Sequence, residues 1–598
     1  MQKNQEVDKR KKNNIDNIIF AICLIGIFYM SNNIIYRIRF KKPFEEILDI
    51  KNYFNPISIS LDKITFLLSL SITFFVVFYV IYKKNKTKGK SEFKNIEHGS
   101  ARWSELSAIK PFVNDQEDKN IIVSKNLKMN ADFLAKAPKY GRNKNVLVIG
   151  GSGTGKTRFF VKPNLMQLYG SYIVTDPKGS LIEDTGDMFL KAQYDIKIFN
   201  LKDTRFSMKY NPFFYINTEL DILSFVNSLM ENTKGEGEKS GEDFWVNAER
   251  MYFQALIGYM METQSPDNQN IEQLLKYINM GKADEDGAEQ EIDKMFEELN
   301  EVTKGDSFAV RQYQKFKQGA GDTLRSILIS VSARTSVFDI KEIRTLLSDD
   351  ELNLHSLYKK DTVFFIIIDD TDYSLTFLAS ILYTQLMSIL VNSADRLPNS
   401  RFEKPIQFIL DEFANTGKIP NFEKLIATIR SRNISAVPIL QSEAQLEAMY
   451  QKKAEILKDN CDSYLFLGSR ASQTTKNLME DLGKTSIEYE VKNVSFDKSN
   501  KKSISLNTNK TGRDLMTSDE IKSLDNDKCI FQLRGVRPFL DDKFKLEEHK
   551  RYNLLADYDS SKKFNVEEYL NKNEKEQEEF SFENLNSINL VVLDYSEE

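Results

Sequence analysis

Gly150 to Thr157 reads GGSGTGKT, which fits the phosphate-binding spacing G-x-x-x-x-G-K-[ST]. Gly150, Gly151, Gly153 and Gly155 let successive backbone N–H groups, those of Ser152 and Thr154 included, curl around a phosphate, while the following helix offers its N-terminus to the anion. In this pattern Lys156 reaches the β- and γ-phosphates and Thr157 ligates magnesium. Such a loop needs a partner strand that ends in acid. Ile406 to Leu410 is a hydrophobic run followed by Asp411 and Glu412. Asp411 is placed to hold magnesium through water, and Glu412 to act as general base toward the attacking water. Ala436 to Leu440 ends at Gln441, whose amide either senses the γ-phosphate or caps the strand. The expected ligands are ATP and Mg2+, since Asn509-Lys510-Thr511-Gly512 approaches a guanine-reading Asn-Lys-x-Asp but lacks its acid.

These residues have to be positioned by a sheet. Asn145 to Ile149 (NVLVI) is an uninterrupted apolar run, as expected of a strand buried on both faces of a parallel sheet. Ser171 to Thr175, ending at Asp176-Pro177-Lys178-Gly179, and Thr362 to Ile368, ending at Asp369-Asp370, fit the same sheet. Polar loops at the carboxyl ends of parallel strands are how open α/β sheets build ligand clefts. About 180 residues separate Asp176 from Thr362, more than one crossover helix needs, so an extra domain is expected there. Asp243 to Met261 and Ile271 to Leu299 carry apolar residues three and four apart, a helical spacing, and Lys234 to Gly241 reads as a mobile loop. Lys304, Arg311, Lys315, Lys317, Arg325 and Arg334 give the later part a basic bias, either a DNA-facing surface or a solvated helix face.

The chain has 598 residues, enough for about four folding units. With 41% hydrophobic and 28% charged residues, it is neither disordered nor a polytopic membrane protein. A formal net charge of -5 gives no global basic character, so any nucleic acid must be held locally. Cys23, Cys461, Cys529, His98, His355 and His549 lie too far apart for a disulfide framework or a metal site. Ile18 to Tyr36, apart from Ser31-Asn32-Asn33, and Ile64 to Tyr82 are apolar runs of about 19 residues, or about 28 Å of helix, long enough to span a bilayer. No small-residue cleavage site follows the first, so a two-span hairpin is expected rather than a signal peptide. Lys9 to Lys12 before the hairpin and Lys83, Lys84, Lys86, Lys88 and Lys90 after it place both ends in the cytoplasm and Arg37 to Asp62 outside. After Asp557 the chain turns polar and acidic, which reads as a mobile tail. Ile588 to Leu593 within that tail reads as a short docking strand.

In their order, these features resemble a known family. The two spans, His98-Gly99-Ser100-Ala101-Arg102-Trp103, the phosphate loop running into Arg158 to Asn164, Asp176-Pro177-Lys178-Gly179, Asp243-Phe244-Trp245 and Leu410-Asp411-Glu412-Phe413-Ala414 come first. Leu440-Gln441-Ser442, Gly468-Ser469-Arg470 and Arg537-Pro538 complete the set. Together they look like the type IV coupling proteins of conjugation, the TraG-like membrane ATPases, over about residues 98 to 545. The resemblance implies a RecA-like P-loop α/β domain with an inserted all-α domain that helps choose cargo. It also implies a ring of subunits, usually a homo-hexamer, on the inner face of the cell membrane, passing relaxase-bound single-stranded DNA to the subunits of a type IV secretion channel. The expected limits are a cytoplasmic N-terminus at 1–17, the transmembrane hairpin with its short external loop at 18–82, the ATPase domain at 83–216 and 340–557, the insertion at 217–339 and an acidic tail at 558–598. By the same similarity Arg430 is the expected arginine finger toward a neighbouring subunit's nucleotide, with Arg432 its rival, and either can instead pair with an acid. Export of protein without DNA, or a docking receptor whose ATP site serves assembly, are the competing functions.

Overall fold

The computed structural model describes residues 2–40, 42–43, 59–88, 98–133, 137–233, 243–281, 291–319, 321–496, 502–572 and 575. The chain forms two units, one of Met1–Ser100 with Thr485–Arg513, the other of Ala101–Lys484 with Asp514–Glu598. The expected loop at Lys234 to Gly241, most of the external loop, and the acidic residues Glu574, Glu576, Glu578, Glu579 and Glu583 with Ile588 to Leu593 lie outside the described residues.

In the first unit, helices Gln2–Arg39 and Lys63–Lys88 contain windows, Ala21–Arg39 and Lys63–Val80, long and apolar enough to cross a membrane. Phe28 meets Phe66 edge-on at 5.3 Å between ring centroids. The polar dip in the first run has a use. Asn32 is fully buried, donating to the Ser60 carbonyl at 3.2 Å and accepting the Ser60 N–H at 2.7 Å. Both sides of its amide are thus satisfied where water is scarce. Arg39 pairs with Asp62, while Ser69 and Thr73 donate to carbonyls one turn back. The unit also holds most of a two-stranded sheet, Lys484–Phe496 with Lys502–Asp514.

The second unit is built on one sheet. Its strands, in chain order, are β1 (Val146–Gly150), β2 (Ser171–Asp176), β3 (Asp195–Asn200), β4 (Thr362–Ile367), β5 (Ile406–Leu410), β6 (Ile434–Leu440), β7 (Ser463–Gly468), β8 (Lys528–Leu533) and β9 (Phe539–Asp542). Among the described residues their spatial order is β9-β8-β7-β1-β6-β5-β2-β4-β3. The seven strands from β7 to β3 run parallel, and β8 and β9 add antiparallel strands at one edge. Both faces are covered, as the continuous apolar runs require. Leu147 and Ile149 enter one buried cluster, and Val146 and Val148 the other, each such side chain contributing about 1.5–3 kcal/mol. All five runs expected as strands end within a residue of their predicted ends, but β3 interrupts the stretch in which the extra domain was expected.

Between β3 and β4, from Glu219 to Leu346, the described regular elements are all helices. The basic bias there is not one solvated face. Arg334 is buried against Glu249 at 2.9 Å and bonds the Thr233 carbonyl, whereas Lys317 pairs with Asp293 on the surface. Helix Thr376–Asp395 has the length and hydropathy of a span, yet 61% of it is buried inside the unit, against helix Glu219–Asn232 among others. The mobile tail expected after Asp557 needs correction where it is described. Phe564 is buried against Gly186, its N–H bonds the Glu183 carbonyl at 2.8 Å, and the Tyr569 hydroxyl donates to the Ile196 carbonyl. Two aromatic side chains in an otherwise acidic segment are what dock it.

Candidate active site

Parallel strands deliver their carboxyl ends to one edge, and the adjacent strands β7, β1, β6 and β5 bring together four loops that are far apart in sequence. Gly150–Thr157 leaves β1, Asp411 and Glu412 leave β5, Gln441 leaves β6 and Gly468-Ser469 leaves β7. The loop after β1 depends on its glycines. Gly153 and Gly155 have φ of 78° and 81°, a left-handed region costly for other residues. A Cβ at Gly155 would also lie 2.4 Å from the Phe159 ring. The Gly151 N–H bonds the Gly468 carbonyl at 2.8 Å, tying the loop to β7.

Thr157 Oγ1 donates to Asp411 Oδ2 at 2.7 Å, so the residues expected to share magnesium already touch. Asp411 is 3% exposed and has no ion pair among the described residues. Burial pushes its carboxyl above the usual range, against the opposing pull of the Thr157 hydroxyl. A buried carboxylate that feels the Lys156 charge but is not ion-paired with it, beside a hydroxyl, gives a hard-oxygen pair suited to a divalent cation. Lys156 Nζ lies 3.0 Å from Glu412 Oε1, and Gln441 Nε2 donates to Glu412 Oε2 at 3.2 Å. Glu412 is therefore gripped on both oxygens, from a backbone at φ 49° that strains any residue but glycine. Gln441 does not cap β6 with its side chain: its N–H goes to Gln445 Oε1 at 2.8 Å, and its amide goes to the acid.

Other expected residues lie elsewhere. Asp176 caps the next helix, accepting from the N–H groups of Gly179 at 2.9 Å and Ile182 at 3.0 Å, and burial raises its carboxyl to about 6. Arg430 and Arg432 precede β6, at the opposite edge of the sheet from the phosphate loop. Arg432 forms a two-point ion pair with Asp395 at 2.8 and 2.6 Å. The Arg430 side chain is exposed and makes no hydrogen bond or ion pair with a described residue.

Sequence reasoning missed the segment after β9, which straps the helix that follows the phosphate loop. Arg158 pairs with Glu547, and Lys162 with Asp184 at 2.7 Å and Asp557 at 2.6 Å. His549 sits beneath this strap. The Arg551 N–H approaches its Nδ1 at 3.1 Å, which leaves Nε2–H to donate to Gln167 Oε1 at 3.2 Å. Burial, with Arg551 and Lys550 adding to it, lowers the imidazole from 6.5 to about 4. The unfolded chain thus takes up this proton at higher pH than the folded one. The stability is fully present above about pH 6.5 and is lost as pH falls toward 4, by up to about 3 kcal/mol. The melting midpoint of wild type minus that of His549→Gln should shrink over that interval; a constant difference would show that the ring titrates normally.

A parallel sheet with a glycine-rich phosphate loop after one strand and acids after the next strand but one defines a RecA-like P-loop protein. The chain belongs to the type IV secretory system conjugative DNA transfer family, whose model matches residues 93–570. Protein VirD4 of Rhizobium radiobacter is 24% identical over 410 residues, which cover 67% of this chain and 56% of that protein. VirD4 of Agrobacterium fabrum is 23% identical, with 67% and 58% covered, so the match spans little more than half the length of these relatives. In three dimensions the chain is similar to the bacterial conjugative coupling protein TrwB, with a TM-score of 0.53 and 16% identity over 74% of this chain and 92% of that one. TrwB in complex with a non-hydrolysable ATP analogue gives 0.52 and 16% over 74% and 93%. TrwB with ADP and Mg2+ gives 0.52 and 16% over 75% and 97%.

Proposed function

We propose that this chain is a membrane-anchored, ring-forming ATPase that takes relaxase-bound single-stranded DNA to a type IV secretion channel during conjugative transfer. The observation that carries the reading is the cluster of Lys156, Thr157, Asp411 and Glu412 at one sheet edge, in a chain of the conjugative DNA transfer family. Lys156 holds the β- and γ-phosphates of ATP, as the phosphate-loop lysine does in such sites. Thr157 and Asp411 would hold magnesium, whose charge would offset that of the phosphates. Glu412 accepts a proton from the attacking water, and Gln441 fixes the orientation of that carboxylate. That TrwB was solved with an ATP analogue and with ADP and Mg2+ supports these ligands here.

Helices Gln2–Arg39 and Lys63–Lys88 span the cell membrane with both ends in the cytoplasm, a reading supported by their apolar windows and by the lysines that flank them. Residues 217–339 act as the all-α cargo domain and 83–216 with 340–557 as the motor, and six subunits form the ring. The net charge of -5 is no obstacle, because a few inward cations per subunit suffice to track a phosphate backbone. The full chain in detergent micelles should hydrolyse ATP, and single-stranded DNA should raise the rate. Turnover indifferent to DNA would favour protein export, and nucleotide-dependent assembly without turnover would favour a docking receptor.

A further inference from the structure

Lys543 is the first residue after β9, where its N–H bonds the Asp527 carbonyl at 2.7 Å. Its side chain runs inward, leaving the residue 3% exposed. The ammonium donates to the Thr154 carbonyl at 2.9 Å and stands 5.3 Å from the centre of the Phe159 ring. Among the described residues no carboxylate forms an ion pair with it. Burial lowers its pKa, partly offset by Cys529, Asp527 and Asp525. A buried ammonium with a single backbone acceptor costs stability compared with an apolar side chain of the same length. Its placement therefore calls for a function other than packing.

The partner it has chosen is part of the phosphate loop. The carbonyl of Thr154 and the N–H of Gly155 belong to one peptide group. A cation bonded to the oxygen polarises that group and makes the N–H a stronger donor. The same peptide lies against Phe159, which packs so close to Gly155 that only glycine fits. Lysine, ring and peptide are thus mutual neighbours.

We propose that Lys543 is a positioning residue of the nucleotide site: it clamps the Thr154–Gly155 peptide in its phosphate-binding conformation and strengthens the Gly155 N–H as a donor to nucleoside di- and triphosphates. It touches the loop and not the nucleotide. The proposal rests on the reading of Gly150–Thr157 as a nucleotide loop.

The test uses the full chain in detergent, as wild type, Lys543→Met and Lys543→Arg, titrated with ADP and Mg2+ and melted without nucleotide. Methionine is one atom shorter, fills most of the same space and removes the charge, so the nucleotide-free melting midpoint should hold or rise while ADP affinity falls about ten-fold. Arginine should recover part of that loss. Wild-type affinity in Lys543→Met would overturn the proposal and leave the nucleotide site standing, whereas a wild type that binds no ADP would overturn both. A midpoint and an affinity that fall together, with no repair by arginine, would make Lys543 a packing residue and also overturn it.

Discussion

Rings built only from Arg430→Ala subunits are expected to hydrolyse ATP about 10³-fold to 10⁵-fold more slowly than wild type, and mixing in Lys156→Ala subunits is expected to restore part of the rate. The expectation follows from where Arg430 lies. It precedes β6, a strand of seven residues, and Gln441 follows that strand, so at about 3.3 Å per residue the two are more than about 20 Å apart. That exceeds the reach of an arginine side chain, and Arg430 cannot serve the nucleotide of its own subunit. An exposed guanidinium beside Gly141, whose charge adds to the burial that lowers the Lys144 ammonium to about 8, remains available to a neighbour. In a mixed ring the intact Arg430 of a Lys156→Ala subunit can face the intact loop of an Arg430→Ala subunit, although each variant alone should be inactive. Co-expression with two different tags verifies the mixing. Verified mixed rings that stay inactive would make Arg430 structural, and Arg432, already committed to Asp395, would be a poor replacement.

Glu412→Gln is expected to bind ATP and to turn it over about 10²-fold to 10⁴-fold more slowly. Glutamine preserves the shape and still accepts from Gln441, but it cannot take the proton of water. It also removes the 3.0 Å ion pair with Lys156, which leaves a nearly buried ammonium in need of an anion. Nucleotide affinity should therefore hold or tighten in this variant. Asp411→Asn should instead weaken magnesium-dependent binding, because it discharges the buried carboxylate beside Thr157. Equilibrium binding alongside single-turnover hydrolysis separates the two. Loss of turnover alone in Asp411→Asn, with Glu412→Gln unchanged, would exchange the roles of the acids.

The centre of the sheet was legible because β1, β2, β4, β5 and β6 are apolar on both faces, which leaves few alternatives for Val146–Gly150 or Ile406–Leu410. The strands that escaped notice break that pattern. β3 carries Lys197 in mid-strand, buried beside Asp195 at 3.4 Å. β7 opens with Ser463 and Tyr464, the tyrosine bonding the buried Glu443 at 2.9 Å. β8 and β9 are short antiparallel strands with a charged residue at an end of each. At the site, spacing located the loop and its two acids, since their chemistry tolerates few other residue types. Nothing comparable marked the grip of Gln441 on Glu412, or Lys543. Each depends on which chain segments the sheet makes neighbours, and a lysine in Asp542-Lys543-Phe544-Lys545 reads as an ordinary surface charge. The described start of the tail was misjudged because its charges outnumber Phe564 and Tyr569, which dock it.

The position of β1 also sets an order of events during synthesis. Its two neighbours, β6 and β7, begin at Ile434 and Ser463, roughly 280 and 310 residues after β1 has left the ribosome. At about 5–20 residues per second, an apolar strand and the glycine loop attached to it wait between about 15 and 60 seconds for their first hydrogen-bonding partners. The apolar helices are made before that wait begins, so on the membrane reading the nascent chain would be held at the bilayer while its phosphate-loop strand stays unpaired. The interval is one in which a holding chaperone would have its greatest effect on yield, and in which slowing translation before Ile434 would do more harm than slowing it afterwards.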